Sequence, residues 1–157
     1  MTACPPGGAR LLTPGERELA HSVFGDAVAT TAVEIRRRKW FPFQPRCTVM
    51  APMGHIHFHP CSPHYRDDFA IASPDAQGLF IHEMVHVWQA QTKGRWWLPL
   101  MRHPLCRYDY ELRPGWPLSR YGIEQQAEIV RHAFLARIGA PAVGQPDMAD
   151  LENLLPF

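Results

Sequence analysis

The residues best suited to chemistry form one short run, His82-Glu83-Met84-Val85-His86. Two histidines four positions apart on a helix project from the same face one turn apart, so both rings can reach a common Zn²⁺ at about 2.0 Å. Glu83 lies on the same side, where its carboxylate can take a proton from a water that zinc has acidified. Such a run also occurs by chance, and an amphipathic helix with packed or solvated histidines is the alternative interpretation.

A catalytic zinc site of this type needs a third protein ligand. Glu124 and Glu128 are four positions apart and share one face of a later helix. We expect Glu124 to bind the metal and Glu128 to orient a ligating histidine through its second ring nitrogen. A solvated acidic face is the alternative for this pair. The other candidates for the third ligand are His57, His103, Asp109 and His132.

Tyr121 is a candidate for a second catalytic role. It lies one turn before Glu124, where its hydroxyl could donate to the oxyanion that forms when water attacks a carbonyl. Packing of its ring on the core is the alternative. Nine histidines in the chain, five of them between residues 55 and 82, also favour metal chemistry.

Three helices should position these side chains. Thr13-Pro14-Gly15-Glu16 has the cap, proline and acid of a helix start, which predicts a helix over residues 14–24. Ser73-Pro74-Asp75 repeats that chemistry and predicts a helix that carries the His82 run to about residue 92. Residues 121–138 are expected to form the third helix, with an apolar stripe at helical spacing made of Ile123, Ala127, Val130, Phe134 and Ile138.

Alternating apolar and polar residues predict the strands. Residues 32–36 should form one strand, and residues 47–51 and 55–59 should form a β-hairpin around the turn at 52–54. In the second hairpin strand His55, His57 and His59 share a face, where they either bind a metal or line a polar surface. The proline-rich segment 95–119 is expected to be an irregular functional loop. These elements predict an α+β fold, with a small antiparallel sheet packed against the His82 and Glu124 helices.

Length and composition predict one domain. The chain has 157 residues, of which 46% are hydrophobic and 20% charged, and we expect a flexible N-terminus over 1–12, a core over 13–138 and a C-terminal tail with a short helix over 139–157. The net charge of +1 requires neither nucleic acid nor an anionic membrane as partner. No signal peptide or membrane-spanning run is recognisable. The four scattered cysteines are interpreted as reduced thiols of a cytoplasmic protein, with a Cys47–Cys61 bridge as the alternative.

The order of motifs resembles a known family. The helix start at 12–17, Phe24-Gly25, the Val-x-Ile strand at 33–35, the hairpin and then His82-Glu83-x-x-His86-Val-Trp-Gln89 are similar to a zinc peptidase domain of contractile injection and type VI secretion proteins, and in particular to short bacterial Vgr-related proteins. The resemblance covers about residues 11–138. It implies a zincin-like fold, zinc bound by His82, His86 and Glu124, and export by a specialised secretion system as a second possible location. It does not imply a particular substrate.

The function predicted from these observations is zinc-dependent hydrolysis of peptide bonds in a peptide or protein substrate, with Glu83 as general base. One rival is a non-catalytic, zinc-stabilised adaptor that contacts a secretion-system protein through the aromatic residues at 40–43 or 96–97. A weaker rival is a binder of acidic partners through the basic run at 36–39 and Arg95.

Overall fold

The computed structural model describes residues 3–157, so the first two residues of the predicted flexible N-terminus lie outside the described residues. Three short strands and five α-helices follow one another along the chain: β1 (Ala9–Leu11), α1 (Pro14–Phe24), β2 (Glu34–Arg36), β3 (Ile56–His57), α2 (Pro74–Lys93), α3 (Trp97–Met101), α4 (Ile123–Arg137) and α5 (Met148–Glu152). The predicted α+β class is confirmed. Within residues 3–157, no helix has both the length and the hydropathy needed to cross a membrane.

The sheet is mixed, and the prediction of an antiparallel sheet is wrong. Its order is β1-β2-β3, with β1 antiparallel and β3 parallel to β2. The expected hairpin is reduced to a single bridge between Met50 and His57. Next to this bridge the Thr48 carbonyl accepts a hydrogen bond from the side chain of the buried Gln44, so this carbonyl is not available to extend the pairing.

The N-terminal segment is more ordered than expected. Residues 9–11 of the predicted flexible region form β1, which pairs Arg10 with Ile35 of β2. The Cys4 side chain is buried, and the Cys4 carbonyl accepts a hydrogen bond from Arg37. This pairing between distant parts of the chain holds the segment on the sheet, although its composition carries no strong strand pattern.

The helices agree closely with their sequence signals. The predicted caps are present at Thr13 for α1 and at Ser73 for α2. Helix α4 begins at Ile123, two residues later than expected, because Gly122 caps it and Tyr121 is extended. Segment 95–119 contains the short helix α3, which the proline-rich sequence did not predict.

Helices α2 and α4 pack closely against each other and form the centre of the core. Gly78 of α2 lies so near α4 that a β-carbon there would come within 3.2 Å of Leu135 and Arg131. On the other side of α2, Phe80 stacks on Phe69, and Phe69 stacks on Phe58 beside the sheet. Because the two helices approach closely, the polar side chains of α2 lie opposite those of α4.

Glu16 connects three parts of the fold. Its fully buried carboxylate accepts two hydrogen bonds from Arg10 of β1, at 2.7 and 2.8 Å. It also accepts the backbone N–H groups of Thr13, at 2.8 Å, and Phe69, at 3.0 Å. One carboxylate therefore ties the edge strand and the start of α1 to the segment that leads into α2.

Replacing Glu16 with alanine should strongly destabilise the protein, because Arg10 and two buried N–H groups would lose their acceptor. We expect the free energy of unfolding, measured by urea denaturation, to fall by about 3–5 kcal/mol. Glu18→Ala, on the exposed side of the same helix, is the control and should change it by no more than about 0.5 kcal/mol. Equal effects of the two substitutions would contradict the role assigned to Glu16.

Candidate metal centre

Three side chains from α2 and α4 converge at the centre of the molecule. His82 Nε2 and His86 Nε2 lie 3.2 Å and 3.1 Å from Glu124 Oε2, and the two nitrogens are 3.2 Å apart. All three residues are at least 95% buried. The structure thus brings together His82, His86 and Glu124, the three residues predicted as metal ligands.

The second ring nitrogen of His86 is held by Gln89, one turn further along α2. His86 Nδ1 lies 2.9 Å from Gln89 Oε1, an atom that can only accept a hydrogen bond. Nδ1 must therefore carry the hydrogen. In the neutral ring this leaves Nε2 with a lone pair that faces Glu124.

The second ring nitrogen of His82 is held by Glu128. His82 Nδ1 lies 2.7 Å from Glu128 Oε1, the contact expected for the orienting carboxylate. Glu128 Oε2 is 3.3 Å from His132 Nε2, and His132 Nδ1 is 2.7 Å from the hydroxyl of Tyr110. The hydrogen bond with Glu128, which itself contacts His132, therefore fixes the ring orientation of His82, as is common for metal-ligating histidines.

The donor set fits a small cation. When both imidazoles are neutral, two nitrogen lone pairs and a carboxylate oxygen face one another with no hydrogen between them. These electron-rich atoms repel one another unless a positive charge lies between them. Ligand atoms about 2.0–2.1 Å from a tetrahedral zinc are about 3.3–3.4 Å apart, close to the 3.1–3.2 Å found here. Two histidines and one carboxylate also match the ligand set of catalytic zinc sites.

A proton on His82 supplies the positive charge in the metal-free chain. Burial alone lowers the pKa of His82, but its hydrogen bonds to Glu124 and Glu128 outweigh burial and raise the pKa to about 9. Burial likewise raises the pKa of Glu124, yet its contacts with His82 and His86 and the nearby charge of Arg102 hold that pKa well below its usual range. Glu124 is therefore ionised at neutral pH.

Glu83 lies beside this cluster on the wall of an open groove of about 910 Å³. Its side chain is buried, and Glu83 Oε2 has no hydrogen-bond partner among residues 3–157. A buried carboxylate oxygen without a donor is rare, because leaving it unsatisfied costs about 1–3 kcal/mol or more. Glu83 thus offers a ready acceptor at the groove, next to His82.

Two further residues of the groove wall come from segment 95–119. Arg102 Nε lies 2.7 Å from Glu124 Oε1, although its N–H is not aligned for a hydrogen bond. Tyr108 stacks on the ring of His82, with centroids 6.1 Å apart, and its hydroxyl accepts a hydrogen bond from Arg102. Neither residue is predicted from the sequence, because an irregular segment has no periodicity that would assign its side chains to a site. The one feature of the sequence that could have indicated them is the presence of an arginine and a tyrosine within the predicted functional loop.

Tyr121 does not lie in the groove, contrary to expectation. Its ring packs in the core against Trp116, and its hydroxyl accepts the N–H of Arg113. The alternative of a packed tyrosine at a helix start describes this residue. Gln89, the last residue of the motif that carries the resemblance, contacts His86 directly.

The other candidate ligands lie apart from the cluster. His55, His57 and His59 each contact a backbone group through a ring nitrogen, at Glu34, Arg38 and Cys61 respectively. His103 and Asp109 are exposed, and Asp109 pairs with Arg107.

The four cysteines are all within the described residues, and each is a free thiol. Three residues of the basic run make contacts within the chain: Arg36 with Glu34, Arg37 with the carbonyls of Cys4 and Pro60, and Lys39 with the carbonyl of Pro42.

Fold and site together define an α+β domain in which a His-Glu-x-x-His helix and a glutamate-bearing helix meet at a buried metal-type cluster. The chain is 42% identical over 137 residues to the type VI secretion system spike protein VgrG2b of Pseudomonas aeruginosa, an alignment that covers 82% of this chain and 13% of that protein. It resembles the solved effector domain of Pseudomonas aeruginosa VgrG2b with a TM-score of 0.72 and 36% identity, covering 98% of this chain and 85% of that one. No family model matches the chain.

The chain therefore belongs to the family of the VgrG2b effector domain, and it spans 13% of the length of the spike protein that it matches. The predicted relation to Vgr-related proteins of type VI secretion systems is confirmed.

Zinc binding to the metal-free protein should release about one proton per ion near pH 7, because the ion must displace the proton of His82. The release should shrink as the pH rises through about 9, the pKa of His82, and the apparent zinc affinity should rise over the same range. Calorimetric titration in buffers of different ionisation enthalpy measures the proton count. Glu128→Gln should lower the count near neutral pH, since it removes one cause of the raised pKa. A release that does not change with pH would contradict this account.

Proposed function

We propose that this protein is a zinc-dependent peptidase related to the effectors of type VI secretion. The observation that carries the proposal is Glu83, which lines the open groove beside the cluster of His82, His86 and Glu124 and has a buried oxygen, Oε2, with no hydrogen-bond partner within residues 3–157. A general base must have an acceptor within reach of the reacting atoms, and this oxygen has no other partner among the described residues.

Each residue of the cluster has a defined task in this proposal. His82, His86 and Glu124 hold the ion, while Glu128 and Gln89 keep the two imidazoles turned towards it. Zinc, when bound, polarises a carbonyl and lowers the pKa of water to about 7. Glu83 takes the proton from the attacking water and passes it to the leaving amine.

Tyr108 and Arg102 are proposed to stabilise the oxyanion, the role that the sequence had suggested for Tyr121. Because Arg102 donates to the Tyr108 hydroxyl, the hydroxyl proton is free for an acceptor in the groove. Burial, followed by the charge of Glu124, raises the pKa of Tyr108, so the phenol keeps its proton at neutral pH. A donor that is already in position stabilises developing charge without reorganisation.

The comparisons support a place in type VI secretion. The relatives are named as a spike protein of that system and as its effector domain. We infer that this chain acts with such a system and that its substrate is a peptide or protein encountered through secretion. An effector domain needs its chemistry outside the producing cell, which favours export over the cytoplasmic location expected from the sequence.

A zinc-stabilised adaptor is the second candidate. Phe43 is 87% exposed and Trp96 is 57% exposed, and large exposed aromatic side chains favour contact with another protein. In the adaptor, Glu83→Gln would leave function intact, whereas His86→Ala would unfold the protein.

Glu83→Gln should leave the protein folded and loaded with about one zinc but should reduce peptide cleavage by roughly 10²–10⁴-fold, since the amide cannot accept the proton. Metal content by mass spectrometry and cleavage of a peptide library are measured on the same samples. His86→Ala and Glu124→Ala should lose the zinc, whereas Glu128→Ala should retain it with weaker affinity. Glu18→Gln, on the exposed face of α1, is the control. No cleavage by the zinc-loaded wild type would favour the adaptor.

Tyr108→Phe should lower kcat by about 10²-fold with little change in KM, because the lost hydroxyl acts mainly in the transition state. Tyr121→Phe should leave kcat near the wild-type value, since within residues 3–157 the one hydrogen bond of that hydroxyl is with the Arg113 backbone N–H. Steady-state kinetics on the two single variants separates the assignments. The reverse pattern would return the oxyanion role to Tyr121.

A further inference from the structure

We propose that Gln126 of α4 is a positioning residue, which acts through Gln89 to hold His86 in the tautomer that binds the metal. This inference rests on the proposed metal site. The two glutamines form a series, here called the glutamine chain, that runs from the Tyr121 carbonyl to His86 Nδ1. Gln126 itself has no hydrogen bond to His86, to Glu124 or to Glu83 among the described contacts.

The orientation of the Gln89 amide is set by its surroundings. Gln89 Nε2 donates to the Ile123 carbonyl at 3.2 Å and to Gln126 Oε1 at 3.1 Å. Turning the amide over would place its oxygen against these two acceptors and its NH₂ group against the hydrogen of His86 Nδ1. Since Gln89 is only 3% exposed, water cannot compensate for the lost hydrogen bonds.

The orientation of Gln126 has its origin in the backbone. Gln126 Nε2 donates to the Tyr121 carbonyl at 2.8 Å, and a carbonyl can only accept. Gln126 Oε1 is therefore left to accept from Gln89. Two backbone carbonyls, those of Tyr121 and Ile123, therefore set the direction of the hydrogen bonds in the glutamine chain, which ends with an acceptor facing His86 Nδ1.

The glutamine chain determines which of the two neutral tautomers of His86 is more stable. An acceptor at Nδ1 stabilises the form with hydrogen on that nitrogen and leaves the Nε2 lone pair facing Glu124 and His82. Without the glutamine chain, the other form competes, and metal binding must then include the cost of changing tautomer. The glutamine chain achieves this without adding charge, whereas His82 is held by the carboxylate of Glu128.

The test measures zinc affinity by competition with a chelator for wild type, Gln89→Met, Gln126→Met and the double variant. Methionine keeps the length and shape of glutamine but removes the amide. Gln89→Met should weaken zinc binding by roughly 10–100-fold, the usual effect of losing a group that orients a metal ligand. Gln126→Met should weaken it in the same direction, and it should have little further effect in the Gln89→Met background because it acts through Gln89. Gln91→Met, at an exposed position of α2, is the control and should bind like wild type.

A second measurement reports the tautomer directly. Nitrogen NMR of the His86 ring in the metal-free protein should show hydrogen on Nδ1 in wild type and a mixture of forms in Gln126→Met. Unchanged affinity and tautomer in Gln126→Met, with zinc still bound by wild type, would overturn this inference alone. Additive losses in the double variant would also overturn it, since they would assign both glutamines to independent packing. No zinc binding by wild type would instead remove the proposed metal site.

Discussion

The central constraint of this molecule is the meeting of two histidine nitrogens and one carboxylate oxygen, on His82, His86 and Glu124, within 3.2 Å of one another. The cluster forms where α2 and α4 approach closely, and a positive charge, from a proton on His82 or from a bound cation, compensates it. Gly78 permits the approach, because any β-carbon there would press against α4. The other side chains around the cluster orient the histidine rings, balance the charge of the cluster or line the groove beside it.

The charge balance explains why segment 95–119 folds back over the helices. Glu124 and Glu128 place two ionised carboxylates beside two histidines, and the burial of such charges is costly unless they are paired. Arg102 reaches the second oxygen of Glu124, and Arg131 lies 3.4 Å from Glu128. The irregular segment is therefore held in place by the site that it covers, which also positions Tyr108 against His82.

Local signals made much of the site predictable. Caps and helical periodicity located α1, α2 and α4, and spacing placed His82, His86, Glu124 and Glu128 on the correct faces. Contacts between distant residues were not predictable in the same way. Strand β1 pairs with β2 across 23 to 27 positions of sequence, and the parallel partner of β2 depends on a crossover. In the sequence, Gln126 is one of several polar residues on a helix, and only the folded structure shows its hydrogen bond with Gln89.

The fourfold contact of Glu16 bears on the rates of folding and unfolding. Its bond to Phe69 joins residues 53 positions apart, so this part of the contact can form only after a long stretch of chain has been organised. Interactions that form late stabilise the native state relative to the transition state, and they act mainly by slowing unfolding. The buried carboxylate therefore favours a long lifetime of the folded protein more than rapid folding.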